Sequence, residues 1–206
     1  MSLSYHFGLA LVLAVGLAAC SPTATPVSLT PKLTETSPAP QTPDPTALMA
    51  RCLPPSELVL AYTDPAAHFC LLYPASFTIR DTAPGRVVFY GPALDQSIEP
   101  IMASLTIQFE EAAADSRLDS LVDDYLAKNV PQGPITRQAT TLAGEPAVII
   151  EGKIGEGIAD SRQVFALHQG RLFHLTLHPV GATFPQAGPD VDLIWQKVEE
   201  TFTFTP

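Results

Sequence analysis

Ala103-Ser104-Leu105-Thr106-Ile107-Gln108-Phe109 alternates apolar and polar residues one by one. The rhythm then changes: Leu118, Leu121, Val122, Tyr125 and Leu126 follow one another at spacings of three and four. A period of two places Leu105, Ile107 and Phe109 on one face of a strand and Ser104, Thr106 and Gln108 on the other. The later spacing predicts an amphipathic helix over 116–129. Ser116-Arg117-Leu118-Asp119 has the form of a capping box at its start, and Asn129 and Pro131 mark its end. A strand that feeds a helix, both with one apolar face, needs further sheet to bury them.

Working outward, His68-Phe69-Cys70-Leu71-Leu72-Tyr73 reads as a strand stopped by Pro74. A short Phe77–Arg80 segment follows, and Arg86-Val87-Val88-Phe89-Tyr90 reads as the next strand. After the helix, strands are expected at 135–142, 146–151, 160–168 and 171–178. Gln169-Gly170 is the two-residue turn between the last pair. A second helix begins near Pro189, with Val191, Ile194, Trp195, Val198 and Phe202 as its apolar stripe. Ala147-Val148-Ile149-Ile150 is apolar on both faces, which implies a sheet covered on both sides. The expectation is an α+β fold: an antiparallel sheet of about six or seven strands flanked by helices, with residues 52–66 poor in regular structure.

The amino-terminal quarter is different. Residues 8–19, GLALVLAVGLAA, are an unbroken apolar run. A spanning helix needs about 20 such residues, so the run has the length of a signal-peptide core instead. Leu17-Ala18-Ala19-Cys20 resembles the bacterial lipobox, which implies cleavage before Cys20 and acylation of its sulfur. Gly16-Leu17-Ala18 also satisfies ordinary secretory cleavage, and Met1–His6 lacks the usual Lys or Arg. With Cys20 acylated, two of the three cysteines remain, Cys52 and Cys70, an even pair for a disulfide in an exported chain. Seven Pro, seven Thr and three Ser fill 17 of the 26 positions from 21 to 46, the composition of an extended spacer. The expected organisation is a signal peptide at 1–19, a lipidated cysteine and linker at 20–50, and one domain at 51–206. About 155 residues suffice to bury roughly 70 % of the unfolded surface.

Several stretches of the domain together resemble the PsbP-like superfamily, which includes LpqN-type bacterial lipoproteins. They are Phe69-Cys70-Leu71-Leu72-Tyr73-Pro74-Ala75-Ser76-Phe77, the alternating strand that feeds the 116–129 helix, Leu142-Ala143-Gly144-Glu145-Pro146-Ala147, and Trp195 through Phe204. The resemblance implies an α/β/α sandwich and an accessory or binding role without catalysis. None of these stretches is a catalytic motif, and a shared fold does not assign an activity.

The chain carries 21 acidic and 11 basic residues, a net charge of −10, which speaks against nucleic acid as a partner. No nucleophile elbow or S-x-x-K motif occurs. His174 and His178 share a strand face but stand about 13 Å apart at 3.3 Å per residue, too far to share one metal ion. His168, at a hairpin turn, is expected to be exposed. Glu110, Glu111, Asp115, Asp119, Asp123 and Asp124 lack the spacing of a calcium loop and read as a solvated face. No cofactor or metal is expected. The ten residues 91–100 contain two apolar side chains without a strand role, Leu94 and Ile98, and these form a candidate partner-binding loop. The functional expectation is a lipid-anchored, extracytoplasmic binding or accessory module. It would contact the bilayer through acylated Cys20 and a protein or ligand partner through the domain. The alternatives are a small-ligand carrier with a pocket between sheet and helix, and a cell-envelope hydrolase.

Overall fold

A computed structural model describes residues 52–205 apart from 99, 156 and 158. Cys20, the signal-peptide run and the linker lie outside the described residues. Ten strands and two α-helices are described: β1 Val59–Asp64, β2 Phe69–Pro74, β3 Thr78–Ala83, β4 Arg86–Tyr90, β5 Ser104–Glu111, α1 Leu118–Lys128, β6 Thr136–Leu142, β7 Glu145–Gly152, β8 Asp160–His168, β9 Arg171–Val180, α2 Gly188–Thr201 and β10 Thr203–Phe204. Seven of the strands form one sheet in the order β3-β4-β5-β9-β8-β7-β6, and β1-β2-β10 form a second, smaller one. Every pairing is antiparallel.

The alternation in β5 holds. Leu105 and Ile107 are fully buried against one core, with Val87, Phe89, Phe173, Leu175 and Leu177 from the neighbouring strands. That first face of the large sheet is covered by α2, through Val191, Ile194 and Val198, together with the small sheet. Helix and small sheet are locked to each other, since the Leu72 N–H donates to Thr201 Oγ1 at 2.9 Å. The opposite face carries a smaller core of Val148, Ile150, Phe165 and Leu172 beneath Val122 of α1.

Three expectations are corrected. The first strand, around 69–74, lies in the small sheet, where it is buried between layers, and not in the large one. Residues 59–64 form β1 on its edge. Leu60 is exposed and Tyr62 only partly buried, so six half-exposed residues give little periodic signal. The capping box does not form: α1 begins at Leu118, and its N-cap Arg117 makes no side-chain cap hydrogen bond. The Ser116 N–H turns back to Ala113 O at 2.9 Å. Asp119 is drawn sideways to Arg137 of β6, at 2.8 Å, and is not available to the helix terminus.

The two-residue hairpins follow from their turn residues. Gln169-Gly170 and Ala143-Gly144 each have two successive positive φ angles, the geometry of a type I′ turn. Gly85, between β3 and β4, has φ +78°, and a Cβ there would lie 2.8 Å from Phe109 O. Only glycine fits at this rim of the second face.

Candidate binding cleft

The second face of the large sheet is covered over half its width. Helix α1 lies over β7 and β8, with Asp119 and Asp123 reaching outward to Arg137 on β6. The β4-β5 side is left open, with β9 at its border, where Leu172 is buried and Tyr125 of α1 reaches the His174 ring. There the alternation that buried Leu105 and Ile107 presents Gln108, and the register places Arg86 opposite Gln108 and Gln108 opposite His174. These three side chains stand abreast across two strand spacings, about 10 Å. Between them and the flank of α1 lies a cleft of about 630 Å³, also lined by Glu110, Leu121, Asp124, Tyr125, Lys128 and Phe165. That volume is in the range of small-molecule sites.

The cleft floor is rigid. The His174 ring stacks on Phe165 with centroids 4.2 Å apart, and Tyr125 meets both rings at 4.9 and 5.0 Å. His174 Nε2 lies 2.8 Å from Gln163 Oε1, an arrangement in which the ring donates, and Thr176 Oγ1 is 3.1 Å from the same nitrogen. Gln163 is only 3 % exposed, and its Nε2 donates to Ser161 Oγ at 2.9 Å, so the buried amide is satisfied from both ends. Burial pushes the His174 pKa down to about 4 and raises that of the Tyr125 phenol. The floor histidine is therefore neutral near pH 7 and a poor general base there. The lining offers Arg86 and Lys128 as cations, Glu110 and Asp124 as anions, and no serine, threonine or cysteine.

Of the residues singled out from the sequence, His174, Glu110 and Asp124 line the cleft and the others fall elsewhere. Cys52 and Cys70 are joined by a disulfide, with Cα atoms 6.0 Å apart. The candidate loop separates its two apolar residues. Leu94 packs on the first core, and its N–H donates to Ile101 O at 3.0 Å, while Ile98 is fully exposed. Neither lines the cleft. His168 is not exposed as expected: its side chain retains 14 % of its accessible surface. It stacks on Phe204 at 4.2 Å and lies 2.9 Å from Glu145 Oε1, because the carboxy-terminal strand folds over the hairpin. His178 is partly buried at the β5 edge of β9, and burial lowers its pKa. Of the cleft residues, Gln108 is legible as an outward-facing strand position. Nothing local to Arg86, Gln108 or His174 signals that α1 reaches His174 through Tyr125 and stops short of β4 and β5.

The sequence matches no protein-family model and no curated protein. Solved structures are similar in arrangement. One is the solution structure of cyanobacterial PsbP (CyanoP) from Synechocystis, at 17 % identity over 71 % of this chain and 92 % of that one, with a TM-score of 0.47. Another is the crystal structure of LpqN, described as involved in cell envelope biogenesis of Mycobacterium tuberculosis. It is 16 % identical over 72 % of this chain and 92 % of that one, with a TM-score of 0.47. A Pseudomonas aeruginosa protein of unknown function is 21 % identical over 67 % of this chain and 94 % of that one, with a TM-score of 0.44. At such identities the likeness concerns the fold alone.

Proposed function

We propose that this chain is an exported, lipid-anchored binding or accessory protein that holds a small ligand in the cleft between α1 and the open half of the large sheet. The observation that carries the reading is the half-covered sheet face: a cleft of about 630 Å³ with a stacked aromatic floor and polar groups at its rim. Pockets of this size, largely preformed and with few convergent polar groups, are the usual form of a small-molecule site. A binding role is favoured over acyl-transfer chemistry by a lining without serine, threonine or cysteine. It is favoured further by a histidine held neutral and engaged with Gln163. Export is supported by the Leu17-Ala18-Ala19-Cys20 sequence and by the Cys52–Cys70 disulfide, a bond suited to an oxidising compartment. Acylated Cys20 would anchor the chain, and the Pro/Thr/Ser-rich linker would set the domain away from the bilayer. Fully exposed Ile98 is kept as a contact point for a protein partner.

The reading is tested by solvent extraction of the protein taken from the envelope. A small molecule recovered from the wild type should be missing from Gln108→Trp, in which a large side chain fills the cleft. Equal recovery from both proteins would overturn it.

A further inference from the structure

The two edges of the large sheet are built differently. At the β3 edge the register shifts between Ile79 and Asp81. There Arg80 folds back, its Nε donating to Thr78 Oγ1 at 3.2 Å with its guanidinium 5.9 Å from the Tyr90 ring. A bulge and a charge are two of the devices that blunt an edge against strand pairing. The β6 edge has no bulge, and its charge is engaged on one face. Thr136–Leu142 pairs with β7 in unbroken register over all seven residues and contains no proline. Its one charge, Arg137, is turned over the second face onto Asp119 and Asp123. Five of its residues are exposed, and among the described residues no strand lies beyond it. Such an edge presents a row of backbone donors and acceptors that only another extended backbone can match.

The flanks of this edge specify what that backbone should carry. On the first face, α2 packs mainly over β2 and β9; Leu142 and Ala147 are buried with it, but its cover thins toward the outer part of β6, where Thr136 and Gln138 are exposed. A groove of about 280 Å³ results, lined by Thr140, Leu142, Ile149, Val164, Trp195 and Glu199. Strand residues alternate between faces, so every second side chain of an added strand would point to this groove. On the second face the carboxylates of Asp119 and Asp123 remain 73 % and 65 % exposed even with Arg137 between them. Exposed Glu199 marks the groove side. The second face of the edge thus carries two carboxylates sharing one arginine, while on the groove side Glu199 stands with Arg162, whose guanidinium lies 5.1 Å from the Trp195 ring, in a chain of net charge −10.

We propose that β6 accepts, by strand addition, an extended segment of a protein partner in which apolar residues alternate with Lys or Arg. Main-chain hydrogen bonds supply the pairing, the Trp195 groove takes the apolar side chains, and Asp119 and Asp123 face the cations. A second copy fits poorly. Two β6 strands paired about a dyad normal to the sheet would bring both α1 helices to the same side, with Asp119 and Asp123 of each copy facing one another. This site is independent of the cleft on the other half of the second face.

Trp195 is the only tryptophan in the chain and reports on the groove directly. The probe is acetyl-Lys-Val-Lys-Val-Lys-Thr-amide, titrated into the full-length protein in detergent, with the Glu-for-Lys peptide as control. The Lys peptide should shift Trp195 emission saturably, slow amide exchange within 136–142, and bind more weakly as salt is raised. Asp119→Asn/Asp123→Asn should weaken it about fivefold to tenfold. Ala139→Pro and Thr140→Pro sit at adjacent positions, only one of which directs its N–H to β7. The variant that keeps the wild-type melting temperature should lose the exchange protection. The proposal is overturned if the Glu peptide binds equally, or if the Lys peptide leaves exchange at 136–142 unchanged. It is also overturned if the folded proline variant or the Asn pair binds undiminished, or if β6 becomes protected without peptide in a species of dimeric mass.

Discussion

His174 lies flat on Phe165, with 12° between the ring planes and 4.2 Å between centroids, so an imidazole forms part of the aromatic floor of the cleft. The ring is held there by the hydrogen bond from its Nε2–H to Gln163 Oε1, 2.8 Å away. Burial has moved its pKa from 6.5 down to about 4.

The sign of the pH dependence follows. Between pH 6.5 and about 4 an unfolded His174 takes up a proton that the folded one refuses. Stability from this group is therefore fully present above pH 6.5 and is lost as the pH falls toward 4. At 1.36 kcal/mol per pKa unit the loss is about 3 kcal/mol. His178, also lowered by burial, adds to it in the same direction. Melting temperatures measured from pH 7 to pH 4 should fall steeply, and His174→Gln should flatten that slope while lowering the value at pH 7. An equally steep slope in the variant would assign the effect to other groups.

The disulfide ties the start of the domain to β2. The closed loop runs from Cys52 to Cys70, a separation of 18 residues, for which chain entropy gives about 3 kcal/mol. Chemical denaturation of Cys52→Ser/Cys70→Ser should show a loss of that order. The variant should remain folded, because Phe69, Leu71 and Tyr73 keep β2 in the core. A loss below about 0.5 kcal/mol would mean that the unfolded chain gains little freedom without the bond.

The loop at 91–100 divides into a structural and a free part. Leu94→Ser removes a side chain packed on the first core and should cost about 1–2 kcal/mol. Ile98→Ser should change stability by less than about 0.5 kcal/mol, because the side chain is fully exposed. Thermal melts of the two single variants distinguish the roles, and a large drop for Ile98→Ser would contradict the assignment.

The proposed anchoring at Cys20 is separable from folding. Cys20→Ser should release the protein from membranes or leave the precursor unprocessed, without altering the melting temperature of the domain. Normal processing with retention after a carbonate wash would exclude lipid attachment at Cys20.

How far the sequence reached depends on the range of the signal. β5, β9 and both helices are legible because each buries a periodic face, β7 because its apolar run is buried on both faces, and the hairpins because Gly144 and Gly170 mark their turns. The edge strand β1 was not legible, since a strand with Leu60 exposed has lost half of its pattern. Assignment of β2 to a separate sheet depends on Thr201, 129 residues away, which no local window contains. The same limit applies to the cleft. Outward-facing Gln108 and His174 look alike whether a helix covers them or not. What sets the position of α1 is the burial of Val122 against Val148, Ile150 and Phe165 of β7 and β8, contacts that lie 26 or more residues away in the chain.

The central claim, that the cleft holds a small ligand, is tested most directly by native mass spectrometry of the full-length protein extracted from its envelope in detergent. Gln108→Trp is compared with Thr140→Trp, which places a tryptophan on the opposite face. The account predicts one discrete added mass on the wild type and on Thr140→Trp, and none on Gln108→Trp. A wild type of bare mass, or an added mass that survives Gln108→Trp, would contradict it.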